Sequence, residues 1–151
     1  MLKKIHRTAN IGLYGSIIVT LATLALYYLW NYRFYMNDSG FKFLLIAGSV
    51  LAVLAIVTVL FTVRRSIPRI RQTDGIENKL KKYAEQTSNI YLTTLGIIVV
   101  ECVIITLSHN NTLFMLIIVM VLMLILLYPN SLKVKVDLGL TDDEATKLLG
   151  D

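Results

Sequence analysis

The sequence predicts an all-α integral membrane protein, a four-helix antiparallel bundle with both termini in the cytoplasm and its third helix extended beyond the membrane. The chain of 151 residues is 56% hydrophobic and 17% charged, whereas a soluble domain is about half apolar and about a quarter charged. The apolar residues are gathered into four blocks, and most basic residues flank the same ends of these blocks. These observations together favour a single transmembrane domain over 1–151.

Each apolar block predicts one spanning helix. The spans cover about 11–30, 43–63, 90–107 and 112–128, and a hydrocarbon core about 30 Å thick needs roughly 17–25 helical residues. The fourth block is the shortest, but it contains no charge. Because it consists of large apolar residues without small ones, we expect it to be the peripheral, lipid-exposed helix.

The distribution of positive charge predicts the orientation. Of the 15 basic residues, 13 lie before the first span, in the loop 64–86 or in the tail 129–151, and 2 lie in the remaining connections. The positive-inside rule therefore places both termini and the central loop on the cytoplasmic side of the membrane. Anionic headgroups of the lipid bilayer are the expected contacts of the seven basic residues in the central loop. These residues are Arg64, Arg65, Arg69, Arg71, Lys79, Lys81 and Lys82.

The central loop contains signals for a helix end and a helix start. Pro68 is expected to interrupt the end of helix two, because proline removes a backbone donor. Asp74, with Glu77 three residues later, has the pattern of an N-cap and the third helical position. The sequence therefore predicts a break followed by a new helix.

Helix three is predicted to start well before its apolar span. Ile76, Leu80 and Tyr83 recur at helical spacing and form one apolar stripe. No breaker separates this stripe from the span, so we expect the helix to run from about Gly75 to Leu107.

The tail contains two patterns. The run LKVKVDLGL alternates apolar and polar residues, which formally predicts a strand, but a strand without a partner is marginal. A short helix ending at Gly139 is therefore preferred. Thr141 and Glu144 form a capping box, so a further helix is expected over Asp142–Leu149.

The chain also contains a short internal similarity. TANIGL at 8–13 and TSNIYL at 87–92 share four of six residues at a spacing of 79. A duplication would make the hairpin of spans one and two and the hairpin of spans three and four parallel repeats. Chance similarity of common residue types is the preferred alternative.

Glu101, in LGIIVVECVIITLS, lies inside an otherwise apolar segment. Equal depth along the spans suggests Thr23 and Ser49 as neighbours, and Thr94 falls on the same helix face. An ionised carboxylate without a cation is disfavoured in the bilayer interior, so we expect the neutral acid. Two interpretations stay open: a proton or cation site, and a hydrogen bond to Thr23 or Ser49 that holds helices together. The second is preferred.

No pattern predicts catalysis, a cofactor or a metal. The sequence has no glycine-rich phosphate loop, no HExxH motif and no paired carboxylates within a span. One cysteine and two histidines at opposite ends of different spans exclude a multi-cysteine or two-histidine site within the chain. The basic residues are explained by topology and do not indicate nucleic-acid binding.

The overall layout resembles a family of small bacterial inner-membrane proteins with no assigned activity. The resemblance rests on the four spans, the basic segment NKLKKYAEQ and the tail YPNSLKVKVDLGLTDDE. It implies a bacterial cytoplasmic membrane and no particular reaction.

Two functions are therefore considered. The first is a non-enzymatic membrane protein that acts through self-association, as a homo-oligomer, or through a membrane-protein partner. The alternative is a small proton- or cation-coupled transporter or pore subunit that uses Glu101.

Overall fold

The computed structural model of the chain describes residues 2–29, 38–108, 112–141 and 143–144. This part of the protein is 91% helix and has no strand, so the predicted all-α class is confirmed. The five helices are α1 (Leu2–Leu29), α2 (Asp38–Arg71), α3 (Ile76–Ser108), α4 (Thr112–Leu126) and α5 (Ser131–Leu138).

Three helices, α1 to α3, are long and apolar enough to cross a membrane. The pair α4 and α5 counts as a fourth span only if both are taken together, because they are bent by 77° at the residues between them. Helix α4 has 15 residues and is therefore about 22 Å long, shorter than a hydrocarbon core of about 30 Å. The protein is a multi-pass membrane protein with three to four spans.

Helix α3 is central and packs against α1, α2 and α4, whereas α1 and α2 have few contacts with each other. Gly12 of α1 lies against Tyr91 of α3, and Thr23 lies beside Cys102, so α1 and α3 run parallel. Both pairs are separated by 79 residues, the spacing of the internal similarity. Chance similarity stays the preferred interpretation, with duplication as the alternative.

Helix α4 is not the peripheral helix, so that prediction was wrong. Leu113, Ile117, Met120 and Leu124 are each 0% exposed, and α4 contacts all three long helices. The more exposed helices are α1 and α2, because only 22% of the most apolar 18-residue stretch of each helix is buried. Small residues are needed only where two helix backbones approach closely. Helix α4 instead packs against the three long helices through its large side chains.

The connection between α2 and α3 is much shorter than the predicted central loop 64–86. Helix α2 continues through Pro68 to Arg71, and α3 begins at Ile76, which leaves residues 72–75 between them. Pro68 does not end the helix, because it removes a single backbone donor and the three residues after it complete the last turn.

The start of α3 agrees with the prediction to within one residue, but its cap differs. Gly75, not Asp74, occupies the N-cap position, and its carbonyl accepts a hydrogen bond of 3.1 Å from the backbone N–H of Lys79. Gly75 has φ 79°, which only glycine adopts readily. The turn geometry therefore overrides the side-chain preference that favoured Asp74.

The tail forms the short helix that was preferred to a strand. In α5, the Asn130 side chain accepts from the backbone N–H of Lys133 at 2.7 Å, and Gly139 ends the helix in the left-handed conformation. Both ends therefore carry standard caps.

The predicted capping box after α5 is present. The Thr141 backbone N–H donates to the Glu144 carboxylate at 2.9 Å, and the Glu144 N–H donates to the Thr141 hydroxyl at 3.4 Å. Asp143 and Glu144 are helical. The rest of the predicted helix Asp142–Leu149 lies outside the described residues.

Helix α5 is held against one end of the molecule by a buried group that we call the basal cluster. It comprises Ile5, Ile70, Leu80, Tyr83, Val134, Leu138 and Leu140. The cluster joins the start of α1, the end of α2, the start of α3 and the tail. Leu80 and Tyr83 of the apolar stripe in α3 are therefore buried within the protein, and Ile76 packs partly buried against them.

Candidate functional site around Glu101

Glu101 is fully buried beside a glycine of α2. It is 0% exposed, and a Cβ atom added at Gly48 would lie 2.9 Å from its Oε2 atom and 3.1 Å from Cδ1 of Leu113. Because glycine has no side chain, α2 passes close enough for the carboxyl group to lie against its backbone. Gly48 therefore makes the space that the carboxyl occupies.

Neither carboxyl oxygen of Glu101 has a hydrogen-bond partner among the described residues. The expected bond to Thr23 or Ser49 is not formed. Thr23 lies beside Cys102 and donates its hydroxyl proton to the Val19 carbonyl at 2.8 Å. Consecutive residues of a helix point about 100° apart, so Cys102 faces α1 while Glu101 faces α2. The comparison of depths along the spans placed Thr23 at the level of Glu101, but it did not predict that the Glu101 side chain points towards α2 and away from Thr23.

Other hydroxyl groups in the apolar segments also bond within their own helices. Ser16 donates to the Gly12 carbonyl at 2.6 Å, Thr20 to Ser16 at 2.7 Å and Thr106 to Cys102 at 2.8 Å. This i to i−4 pattern satisfies the hydroxyl proton without a neighbouring helix. These residues therefore contribute packing rather than hydrogen bonds between helices.

Four buried polar residues lie along one face of α3 at intervals of seven residues: Thr87, Thr94, Glu101 and Ser108. Thr94, Glu101 and Ser108 are 1%, 0% and 6% exposed, and each has a buried side-chain oxygen with no hydrogen-bond partner in the described structure. Successive members are about 10 Å apart along the axis. Thr94 is therefore on the predicted face but too far away to share a ligand with Glu101.

The candidate site predicted from the sequence did not include Ser108 or Gly48, although helical spacing placed Ser108 on the face of Glu101. The spacing of residues 94, 101 and 108 was a signal for Ser108, because seven residues make nearly two helical turns. Gly48 begins a stripe of small residues with Ala52 and Ala55, which predicts a packed face of the second span but not the residue that lies against it. Only the packing of the two helices identifies it.

A buried carboxyl group can hold a proton or bind a small cation. The three side chains nearest to a Cβ atom at Gly48 are those of Glu101, Leu113 and Ile104, and none of them is cationic. No group of three His, Cys, Asp or Glu side chains that could bind a metal occurs in the part of the chain that the structure describes.

The basic residues predicted to contact lipid lie at the end of α2 and the start of α3. Arg71 also has contacts within the protein, because its guanidinium bonds the carbonyl groups of α5. Its Nε atom donates to the Asp137 carbonyl at 3.0 Å, and Nη2 donates to the Val136 carbonyl at 2.8 Å. Arginine near the last carbonyls of a helix complements its dipole, so Arg71 holds the end of α5.

Two more residues of this set also have protein contacts. Lys82 donates to the Thr73 hydroxyl at 3.2 Å, and the Arg65 guanidinium lies 5.9 Å from the centre of the Phe61 ring. Contact with lipid headgroups stays a prediction for all seven residues of this set.

No protein family, curated protein or solved structure shows significant similarity to this chain. The resemblance to small bacterial inner-membrane proteins therefore stays an expectation from the sequence.

Proposed function

We propose that the protein is a non-enzymatic subunit of a bacterial inner-membrane assembly, formed by copies of itself or with another membrane protein. Within this assembly Glu101 takes up and releases a proton or binds a small cation. Both termini and the basal cluster face the cytoplasm, and the helices form an antiparallel bundle. The charge distribution supports this orientation.

One observation carries the proposal. Glu101 is 0% exposed, and neither of its carboxyl oxygens has a hydrogen-bond partner among the described residues. A structural role predicts a hydrogen bond that holds two helices, and Glu101 forms no such bond with any residue that the structure describes. Ionisable residues inside a membrane usually belong to a functional site. The unpartnered carboxyl therefore favours the proton or cation site over the structural role.

An assembly is proposed because the described part of one chain does not provide a relay. Thr94 and Ser108, the other unpartnered groups on this face, are each about 10 Å from Glu101 along the helix axis. Direct transfer of a proton requires a hydrogen-bonding distance of about 3 Å. Water or a second membrane chain must therefore complete any path to Glu101.

Infrared spectroscopy and proton flux together test this function. Glu101→Gln keeps the size of the neutral acid but cannot exchange a proton. In the native protein we expect a protonated carboxyl band that is lost in Glu101→Gln, and proton flux in reconstituted vesicles that the variant abolishes. Glu77→Gln, which changes an exposed acid on the same helix, is the matched control and should keep both signals.

Two outcomes would contradict the proposal. Flux that persists in folded Glu101→Gln would show that this carboxyl is not the site. If the native protein showed no proton flux in any oligomeric state, association with other membrane proteins or with copies of itself would be the only function left. Cross-linking in membranes would then have to detect that association.

A further inference from the structure

An open groove lies between the start of α1 and the start of α3, away from Glu101. Its volume is about 460 Å³, and Ile5 and Ala84 provide its apolar part. This volume is within the range of about 300–1,000 Å³ that is typical of small-ligand sites. The groove can therefore accept a group of the size of a lipid headgroup.

The level of the groove coincides with the edge of the apolar segments. Asn89, which lines it, directly precedes the apolar run of α3. Asn10 holds the same place before the run of α1 and accepts a hydrogen bond of 2.7 Å from the Tyr128 hydroxyl. Tyrosine is enriched at membrane interfaces. The groove therefore opens at the depth of the lipid headgroups.

The polar side chains of the groove follow an order along α3. Ser88 and Asn89, nearest the apolar segment, offer a hydroxyl and an amide, and Glu85 offers a carboxylate one turn further out. None of these three side chains forms a hydrogen bond or ion pair with another described residue. Ser88 and Glu85 are about 4.5 Å apart along the axis.

We propose that this groove binds the headgroup of phosphatidylethanolamine from the surrounding leaflet. The phosphate, which is the group nearer the acyl chains, accepts hydrogen bonds from Ser88 and Asn89. The ammonium, which lies further out, donates to Glu85, and Lys81 adds positive charge at the rim. The inference goes beyond the proposed function and does not depend on Glu101.

Charge complementarity selects this lipid over its analogues. Phosphatidylcholine carries the same charges, but its methylated nitrogen has no N–H to donate to Glu85. Phosphatidylglycerol has the phosphate but lacks the cation, and its anionic headgroup would meet the Glu85 carboxylate. Among these three lipids, only the ethanolamine headgroup can therefore form a charge-assisted hydrogen bond between ammonium and carboxylate.

Native mass spectrometry of the full chain, delipidated in mild detergent, tests the proposal with the three lipids at identical acyl composition. We expect phosphatidylethanolamine to bind about threefold more tightly than either analogue, the scale of an exposed charge pair. Glu85→Gln should remove this preference, whereas Glu77→Gln, the exposed acid two turns away, should keep it. Ser88→Leu, which fills the groove, should weaken binding of all three lipids.

Equal binding of phosphatidylethanolamine and phosphatidylcholine would overturn the proposal. Preference for phosphatidylglycerol would do the same and would indicate an anion site. The proposal would also be overturned if Glu85→Gln kept the preference for phosphatidylethanolamine. Full displacement of the lipid by soluble glycerophosphoethanolamine at equal concentration would overturn it too. Circular dichroism confirms that each variant retains its helices.

Discussion

Gly12 and Tyr91 are in direct contact where α1 crosses α3. A Cβ atom added at Gly12 would lie 2.7 Å from Cβ of Tyr91 and 3.2 Å from its carbonyl oxygen. The Tyr91 hydroxyl donates to the Leu124 carbonyl of α4 at 2.7 Å. One side chain therefore sets the spacing of three helices, and the absence of a side chain at Gly12 permits it.

We expect Gly12→Ala to lower the free energy of unfolding by about 1–3 kcal/mol, because the new methyl group overlaps a buried ring and a backbone atom. Equilibrium unfolding in mixed detergent micelles measures this change. Gly96→Ala is the control, because a Cβ atom there would have nothing within 4 Å. A smaller loss for Gly12→Ala than for Gly96→Ala would show that the α1–α3 contact is wrong.

Gly48 and Glu101 should be energetically coupled. Gly48→Ala places a methyl group 2.9 Å from the carboxyl and should destabilise the protein, while in Glu101→Ala part of that cost should disappear. A double-mutant cycle should give a coupling of about 0.5–3 kcal/mol. The control cycle pairs Gly48→Ala with Thr23→Ala, whose effects should add within about 0.5 kcal/mol. Equal additivity in both cycles would contradict the contact.

Arg71→Ala should loosen α5, because the last carbonyls of that helix lose two hydrogen bonds. For exposed bonds we expect a cost of about 1 kcal/mol, which corresponds to about fivefold faster amide exchange in α5. Hydrogen exchange followed by mass spectrometry measures this rate. Arg69→Ala, which removes an exposed neighbour on the same turn of α2, should leave the rate unchanged.

The capping box after α5 should weaken in acid. The backbone N–H of Thr141, followed by its hydroxyl, lowers the pKa of Glu144. A carboxyl whose pKa is lowered by folding stabilises the folded state above its unfolded pKa, about 4.3. That contribution is lost as the pH falls through the folded pKa. Nuclear magnetic resonance should find a lower titration midpoint for Glu144 in the folded protein than in urea. An equal or higher midpoint would exclude the cap in solution.

The orientation predicts the behaviour of a fusion after Asp151. With 13 of 15 basic residues on one side, we expect the C terminus in the cytoplasm. A fluorescent protein placed there should fold and fluoresce, and a phosphatase that requires the periplasm should be inactive. An active phosphatase would refute the orientation and, with it, the cytoplasmic location of the basal cluster.

Several features of the fold followed from the sequence because they depend on local chemistry. The apolar blocks predicted the long helices, the stripe from Ile76 predicted the early start of α3, and Gly139 predicted the end of α5. Each of these signals acts through the backbone or through neighbours within one or two turns. The capping box at Thr141 and Glu144 belongs to the same class.

Only the tertiary structure decided which helix faces meet. Depth along a span gave Thr23 as a neighbour of Glu101, but the rotation of α3 turns Cys102 towards Thr23 and Glu101 towards Gly48. Helix α4 is buried although it has no small residues, because the gap between the other helices is wide enough for large side chains. In an apolar solvent hydrophobicity does not distinguish a buried face from an exposed one. The unpartnered state of Glu101 therefore could not be read from the residues around it in the chain.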